Sequence, residues 1–406
     1  MQTTMVPEPG ASTTVDALTI APSLRVLTFL HSFEPGGVER IALRLVRRWR
    51  ELGVDAPLFV GRSDGAMRGD VGAGLGFITP RRSRIGSPAG WETLWMIWSL
   101  RGAIRALRPD VLFCAGNTYA VVAIAMRMLL GRKCPPILAK VSNDLDRGDM
   151  GRMSRATYHL WLRIKGMVCD HIVSMDDPLV AEISDRLAIP VTRITTIPDP
   201  ALTRALIARV RSRTMPRRDG ALGRRFVAVG RLAPQKNIAL MLRAFQRGSG
   251  AADRLTLIGD GPERARLEAL AVRLGLADRV EFRGYLPDPA DILPEFDTLL
   301  LSSDYEGVPA VILEALAAGL TIVATDCSRA MAGLLGHGRL GELVRVGDEG
   351  MFAEAITRSG TGCQCAQLSL AQAERFTLER AAELYVATMS QLHRMSIPRN
   401  FFAAAN

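Results

Sequence analysis

Short apolar runs alternate with longer amphipathic segments along most of this chain, and this alternation constrains the fold more than any other feature. The apolar runs lie at 25–30, 56–60, 111–114, 137–141, 171–174, 225–229, 254–258, 280–282, 298–301 and 321–324. Helical patterns lie between them, including 38–52, 91–107, 119–130, 238–246 and 263–274. Strands that alternate with helices form parallel sheets with helices on both faces. We therefore predict an α/β chain with two doubly wound sheets.

A segment near the middle of the chain interrupts this alternation. It holds Pro198, Pro200, Pro216 and six arginines, a composition that indicates a connection between domains. We predict domain boundaries from this break and from the two ends of the chain. They are a disordered leader rich in Thr, Pro and Ala at 1–22, an N-terminal domain at 23–199, a linker at 200–222, a C-terminal domain at 223–375 and, at 376–406, a helix packing back on the N-terminal domain with a tail.

Composition excludes several classes of protein. Apolar side chains make up 48% of the 406 residues and charged ones 23%, as in ordinary globular proteins. The apolar run at 119–126 is much shorter than the roughly 20 residues of a membrane-spanning helix. The net charge of +10 lies before residue 223, and a basic surface attracts nucleic acid, anionic lipid or phosphorylated substrates. Because no nucleic-acid motif accompanies the charge, we predict no nucleic-acid partner.

The six cysteines are scattered along the chain, and most lie in or beside apolar runs. This distribution indicates reduced thiols in a core. Cys363 and Cys365 are too close together for a usual zinc-binding pair, and no second pair matches them. We predict no metal site.

Two carboxylates follow the apolar run at 298–301. Pro309 suits the first turn of a helix, and Gly319 suits the position just beyond its end. Glu306 is then placed in the loop between strand and helix, and Glu314 more than one turn inside the helix. Ligands bind at the carboxyl ends of parallel strands, and phosphates bind at helix N-termini. This unit therefore predicts a site for a phosphorylated ligand with two carboxylates nearby.

Two cations follow the first strand of the predicted C-terminal domain. Arg231 offers a planar pair of donors to phosphate, and Lys236 offers a point charge. Asn237 is the predicted N-cap of the next helix. Gly259 and Gly284 end the following two strands, where glycine either closes a turn or lets the backbone approach a ligand.

Four motifs in a fixed order resemble family 4 of the retaining glycosyltransferases. They are Gly-Arg-Leu-x-x-x-Lys at 230–236, Ile-Gly-Asp-Gly-Pro-Glu at 258–263, Phe-x-Gly-Tyr at 282–285 and Glu-Gly-x-Pro-x-x-x-x-Glu-Ala at 306–315. The resemblance is strong at 224–327 and weaker but collinear at 25–199. It implies the GT-B fold, in which two facing Rossmann-like domains enclose the active site in a cleft. The acceptor would bind the N-terminal domain and the nucleotide sugar the C-terminal one.

The resemblance also implies roles for the matching residues. Arg231 and Lys236 would neutralise the donor diphosphate and Glu306 would contact the donor sugar, so these three are the predicted catalytic residues. Glu314 would bind the ribose hydroxyls. The predicted donor-binding residues are Gly36, Gly37, Gly259, Gly284, Tyr285, Gly307, Val308 and Glu314. Cations and amides fixed in advance can stabilise a departing diphosphate, so the resemblance implies neither a metal nor another cofactor.

The chain departs from the family pattern at two places. Many family members carry a His after the strand that matches 137–141, where this chain has Asn143 and Asp144. These two residues, with His31 at the end of the first strand, are the acceptor-side candidates. The second departure is the loop at 328–333, which replaces a Gly-Pro-x-Glu stretch and shapes the donor pocket in the family.

Basic and aromatic side chains predict contact with an anionic membrane surface. Segment 38–52 carries five arginines, and Trp91, Trp95 and Trp98 recur at roughly helical spacing beside further arginines. Basic amphipathic helices with aromatic side chains bind anionic lipid at the membrane interface. A solvated basic face with tryptophans in the core is the alternative interpretation.

These observations predict a retaining hexosyltransferase that is cytoplasmic and peripheral at the inner face of the cell membrane. It would move a hexose from a nucleotide sugar, expected to be UDP-linked, to a lipid-linked saccharide during synthesis of a surface polysaccharide. Two alternatives stay open on the sequence: a nucleotide-sugar epimerase of the same fold, and a protein that binds a nucleotide sugar without catalysis.

Overall fold

A computed structural model of the protein describes residues 24–34, 37–69, 72–80, 92–141, 152–213, 223–360 and 366–401. The predicted leader at 1–22 lies outside these residues. So do several positions named above, namely Gly36, Trp91, Asn143, Asp144, Cys363 and Cys365. In the described part of the chain, two six-stranded sheets form the centres of two domains.

The first sheet has the strand order β2-β1-β3-β4-β5-β6, and its neighbouring strands are parallel. Its strands are β1 (Val26–Leu30), β2 (Leu58–Val60), β3 (Val111–Cys114), β4 (Ile137–Lys140), β5 (His171–Ser174) and β6 (Ile194–Thr196). Its helices are α1 (Gly37–Glu51), α2 (Glu92–Leu107), α3 (Ala120–Leu130), α4 (Arg152–Val168) and α5 (Pro178–Leu187). The inner strands are buried, which explains why they appear in the sequence as unbroken apolar runs.

The second sheet has the order β12-β11-β10-β7-β8-β9 and is also parallel. Its strands are β7 (Arg225–Val229), β8 (Arg254–Ile258), β9 (Val280–Gly284), β10 (Thr298–Leu301), β11 (Thr321–Thr325) and β12 (Glu342–Val344). The helices from the domain connection onwards are α6 (Arg204–Ser212), α7 (Ile238–Gly248), α8 (Arg264–Arg273), α9 (Ala310–Ala318), α10 (Ala330–Leu334), α11 (Glu349–Arg358), α12 (Ala366–Arg375) and α13 (Leu378–Phe401). The prediction of two doubly wound α/β domains is confirmed.

The connection between the domains is more structured than a flexible linker. Helix α6 lies inside the segment predicted as a linker, and it packs on α9 of the second domain through Ile207 and Val210. The chain returns to the first domain between α12 and α13. At this point the amides of Ala201 and Leu202 each donate to the Phe376 carbonyl over 3.1 Å, and the Leu378 amide donates to the Leu202 carbonyl over 2.9 Å. The two crossings are therefore hydrogen-bonded to each other.

Helix α13 packs in the core of the first domain, against α1 and β3. The ring of Tyr385 lies 5.4 Å from that of Phe113 and 5.8 Å from that of Trp49, in edge-to-face contacts. All three side chains are buried. The last described helix thus completes the core that the first strands begin. No helix among the described residues has both the length and the apolar character that a membrane crossing needs.

We expect Tyr385→Ala to lower the free energy of unfolding of the first domain by about 3 to 5 kcal/mol, because it removes a buried aromatic ring and leaves a cavity between Trp49 and Phe113. Urea unfolding followed by tryptophan fluorescence measures the loss. Met395→Ala is the control on the same helix, since that side chain is 67% exposed, and it should change stability by less than about 0.5 kcal/mol. Equal effects of the two substitutions would contradict this account of α13.

Candidate active site

In each sheet the direction in which successive strands are added reverses once. Loops that follow strands at both of these reversal points line one cavity. In the first sheet the reversal lies between β1 and β3, and in the second between β7 and β10. A cavity of about 880 Å³ between the domains is lined by Gly37 after β1, Asn117 after β3 and Glu306 after β10. Ligands of doubly wound sheets bind at such reversal points. The topology therefore places a binding site between the domains.

An ion pair joins the two loops at the second reversal point. The Lys236 ammonium donates to Glu306 Oε1, and the Ser303 hydroxyl donates to the same oxygen over 2.7 Å. The two charged side chains are largely buried. Two residues that the sequence predicts to be catalytic, 70 positions apart, are thus in direct contact.

Further hydrogen bonds hold these loops in register. The Asn237 side-chain amide donates to Asp304 Oδ1 over 2.8 Å, and the Gln235 side chain donates to the Tyr305 carbonyl over 2.7 Å. Asn237 also accepts from the Leu240 amide as the N-cap of α7, as predicted. The position of Lys236 is therefore set by contacts on both sides of it.

Close contact between backbone segments explains why one of the predicted donor-binding positions, 259, is a glycine. Gly259 has φ of +138°, and a Cβ there would lie 1.9 Å from the Gly230 carbonyl oxygen. Its amide donates to the Gly284 carbonyl over 2.8 Å. The loops after β7, β8 and β9 therefore touch through backbone alone, and Gly259 is required by packing whether or not a ligand binds. Gly284 lies in the same contact, and the following Tyr285 is 75% exposed.

The N-terminus of α9 lies at the edge of the cavity. Pro309 occupies the N-cap position and Gly319 the C-cap, with φ of +77°, close to the predicted limits of this helix. Gly307 and Val308 precede the helix and line the cavity with Glu306. A helix N-terminus carries a partial positive charge that favours anions.

The segment 328–333, expected from the sequence to be a loop, enters helix α10 at Ala330, so the expectation of a loop is wrong beyond Arg329. Its first two residues contact both the start of α9 and the first domain. The Ser328 hydroxyl donates to the Gly307 carbonyl over 2.9 Å. Arg329 forms an ion pair of 2.6 Å with Glu182 on α5. The segment that departs from the family pattern therefore forms a bridge between the two domains beside the cavity.

The remaining predicted residues either do not line the cavity or lie outside the described residues. Arg231 is exposed after β7, and no described contact joins it to Glu306. His31 stacks on Tyr119, with ring centroids 5.0 Å apart, and does not line the cavity. Gly36, Asn143 and Asp144 lie outside the described residues, so their predicted roles stay predictions.

Several residues that line the cavity were not singled out from the sequence. They lie on the wall of the first domain and include Arg40, Arg44, Asn117, Lys165, Asp176 and Asp199. The arginines were predicted only as part of a membrane-binding helix. Lys165 and Asn117 are 48 residues apart, so only the tertiary structure brings them together. Among the described residues, no group of three or more His, Cys, Asp or Glu side chains could hold a metal ion.

Two protein-family models match the chain, one in each half. The model described as Glycosyltransferase Family 4 matches residues 35–201, and the model described as Glycosyl transferases group 1 matches residues 223–359. The second match contains the four motifs at 230–315. Together the two matches include both walls of the cavity.

Curated relatives match over shorter segments. The lipopolysaccharide core biosynthesis glycosyltransferase LpsE of Rhizobium meliloti is 35% identical over 130 residues, which are 32% of this chain and 37% of that protein. An N-acetylgalactosamine-N,N'-diacetylbacillosaminyl-diphospho-undecaprenol 4-alpha-N-acetylgalactosaminyltransferase of Campylobacter jejuni is 31% identical over 139 residues, which are 34% and 38% of the two chains. The matched segments span well under half the length of these relatives.

Solved structures match nearly the whole chain. The apo form of the lipopolysaccharide outer core galactosyltransferase WaaB superposes with a TM-score of 0.70 at 20% identity, covering 90% of this chain and 99% of that one. Anabaena Alr3699/HepE in complex with UDP superposes with a TM-score of 0.67 at 17% identity, covering 90% and 100%. At this identity the match shows the fold alone, and the predicted GT-B architecture is confirmed.

Glu314 lies within α9, partly buried, and burial raises the pKa of its carboxyl, with a further contribution from Asp288. A carboxyl with a raised pKa in the folded state binds its proton more readily there than in the unfolded chain. The ionised Glu314 carboxylate therefore lowers the free energy of unfolding at neutral pH. This destabilisation decreases as the pH falls toward about 4.3, the pKa of a glutamate in the unfolded chain.

We expect Glu314→Gln to be more stable than the wild type at pH 7 to 8 without ligand, with an advantage that shrinks toward pH 4. Urea unfolding across this pH range measures the difference. Glu374→Gln, at an exposed position of the same domain, should show no such trend. A constant difference between Glu314→Gln and the wild type at all pH values would contradict the assignment of the burial cost to this carboxyl.

Proposed function

Because the chain belongs to family 4 of the glycosyltransferases, the group 1 glycosyltransferases, we propose that it is a retaining hexosyltransferase. It takes a hexose from a UDP sugar and transfers it to a lipid-linked saccharide during synthesis of a surface polysaccharide. The observation that carries the proposal is the ion pair of Lys236 and Glu306, which lies at the reversal point of the second sheet, with Glu306 on a cavity shared with the first domain.

The proposed donor site uses the second domain. Lys236 and Arg231 neutralise the diphosphate, and the free amides before α9 add partial positive charge. Glu314 accepts hydrogen bonds from the ribose hydroxyls, and Glu306 binds hydroxyls of the sugar. Lys236 and Glu306 are held in place by their ion pair before the ligand arrives, so they stabilise developing charge without rearranging.

The proposed reaction exchanges one bond at the anomeric carbon for another on the same face of the sugar. The bond from this carbon to the diphosphate oxygen breaks, and a bond to the acceptor hydroxyl oxygen forms. The electron pair of the broken bond leaves with the diphosphate, and a phosphate oxygen takes the proton of the acceptor hydroxyl. Lys236 lies where it stabilises the charge on the leaving group, and we propose that no metal ion is needed.

Two comparisons support the choice of substrates. HepE, whose fold this chain shares, was solved in complex with UDP, which supports a uridine nucleotide. The relative from Campylobacter jejuni is named for a diphospho-undecaprenol acceptor, which supports an acceptor on a lipid carrier. Both are proposals for this chain, because the first similarity is one of fold and the second covers part of the relative.

We expect UDP to raise the melting temperature of the wild type, because a ligand that binds only the folded state stabilises it. Lys236→Ala should weaken UDP binding by about tenfold or more, since it removes a charged contact to phosphate. Arg254→Ala is the matched control. This exposed cation is the first residue of β8, at the amino-terminal ends of the strands and therefore away from the proposed site. A panel of UDP, GDP and ADP with and without EDTA, read by thermal shift, measures these effects.

Glu306→Gln should lower transfer from a UDP sugar about 100-fold or more while UDP binding stays within a few-fold. Conversion of the UDP sugar into a different UDP sugar without an acceptor would instead favour the epimerase, and binding without any turnover would favour the non-catalytic protein. Loss of activity in EDTA that added Mg²⁺ restores would contradict the proposed metal independence.

We propose that the enzyme works at the cytoplasmic face of the cell membrane and binds anionic lipid through the first domain. Helices α2, α3 and α4 pack side by side, and each exposes large apolar side chains. Trp98 is 72% exposed and Met128 78% exposed. Exposed cations flank them, at Arg105, Arg132, Lys133 and Arg163. Arg40 and Arg44 of α1 line the cavity instead, so we do not include them in this surface.

We expect binding to phosphatidylcholine vesicles that contain phosphatidylglycerol, and weaker binding to vesicles of phosphatidylcholine alone. The double variant Trp98→Ser, Met128→Ser should bind about tenfold more weakly, because it removes apolar area that enters the interface. Leu368→Ser, an exposed site on α12 of the second domain, is the control in the sedimentation assay. Unchanged vesicle binding of the double variant would contradict the proposal that this surface binds the membrane.

A further inference from the structure

Two lysines in the first domain are buried to the same degree but differ in their partners. Lys140, at the end of β4, and Lys165, near the end of α4, are each 1% exposed. The ammonium of Lys140 forms an ion pair with Asp199. The ammonium of Lys165 donates to the side-chain oxygen of Asn117 over 2.6 Å, and no carboxylate among the described residues lies within ion-pair distance of it.

The surroundings of Lys165 do not supply a negative charge. The ionisable groups near it are the thiols of Cys114 and Cys169, and burial raises their pKa to about 12 and about 11, so both are protonated at neutral pH. An ammonium group has three N–H donors, and the Asn117 oxygen accepts one of them. Burial without a counter-charge lowers the pKa of the Lys165 ammonium. An oxyanion bound beside this group would favour its charged form again, so the site gains its full charge only with an anionic ligand.

The position of Lys165 indicates where that ligand binds. Lys165 and Asn117 line the cavity between the domains, on the first-domain wall opposite Glu306. Arg40 and Arg44, one helical turn apart on α1, line the same wall. The acids on this wall are Asp199, which Lys140 neutralises, and Asp176, whose pKa burial raises. Arg40 and Arg44 outnumber Asp176, so these residues give the wall a net positive charge.

We propose that Lys165, with Arg40 and Arg44, forms an anion subsite that binds a phosphate or carboxylate group carried by the acceptor. This inference rests on the proposed function, because it assigns the first-domain wall to the acceptor. The donor diphosphate has its own cations, Lys236 and Arg231, on the second domain. The oxyanion has two sources, the diphosphate of a lipid carrier or the carboxylate of an acidic sugar, and both present the same charged oxygens to the ammonium.

Two pairs of probes distinguish these sources on the full chain, with UDP at saturation to fill the donor site. Methyl glucuronide and methyl glucoside differ in a carboxylate, and geranyl diphosphate and geraniol differ in a diphosphate. Binding is measured by calorimetry or ligand-observed NMR for the wild type and Lys165→Met. We expect one anionic probe to bind the wild type about tenfold or more tightly than its neutral match, and Lys165→Met to remove this preference without changing the Kd for UDP.

The two lysine variants should also differ in stability. Lys165→Met replaces an uncompensated buried cation by an apolar chain of similar length, so its urea midpoint should equal or exceed that of the wild type. Lys140→Met leaves Asp199 unpaired, so its midpoint should fall. If Lys165→Met fails to fold, Lys165→Gln, which keeps a donor for Asn117 but no charge, carries the same comparison.

Two outcomes overturn the proposal: no preference of the wild type for either anionic probe, or a preference that survives in Lys165→Met. Failure of the proposed function is seen separately, as a wild type that neither binds UDP nor transfers a sugar.

Discussion

The ion pair between Lys236 and Glu306 is the interaction on which the arrangement of the site depends. It joins the loop after β7 to the loop after β10, and these two strands flank the reversal of strand order in the second sheet. Because both charges are largely removed from water, loss of either one leaves the other uncompensated. The pair therefore keeps the cation and the carboxylate at fixed positions while the site is empty. Asn237 and Asp304, which are hydrogen-bonded beside it, limit how far the loops can separate.

The two domains line the cavity with different kinds of chemical groups. The second domain contributes a helix N-terminus, close glycine contacts and a compensated ion pair, all close to the backbone. The first domain contributes long side chains from α1 and α4, with a lysine whose charge has no carboxylate partner among the described residues. The two domains are joined by the hydrogen-bonded double crossing at Leu202 and Leu378 and by the ion pair of Arg329 with Glu182 beside the cavity.

Local signals in the sequence predicted the second domain better than the first. Pro309 and Gly319 bracket α9 because a helix start and stop depend on neighbouring residues, and Asn237 caps α7 for the same reason. The strands β6 and β12 were missed because each is three residues long and partly exposed, so neither forms an apolar run. Helix α6 was hidden by the arginines and prolines around it, since its short apolar face becomes visible only against α9. Lys165 gave no signal, because a lysine in a helix is usually on the surface.

Helix α13 has a consequence for the order in which the chain folds as it is made. Trp49 and Phe113 emerge from the ribosome early, but the ring of Tyr385 that packs on them follows only after the whole second domain. At roughly 5 to 20 residues per second, the interval between β6 and Tyr385 lasts on the order of 10 to 40 s. During this time the first domain has an open apolar groove where α13 will lie. A nascent chain of this protein therefore presents a binding surface for chaperones that the finished molecule no longer has.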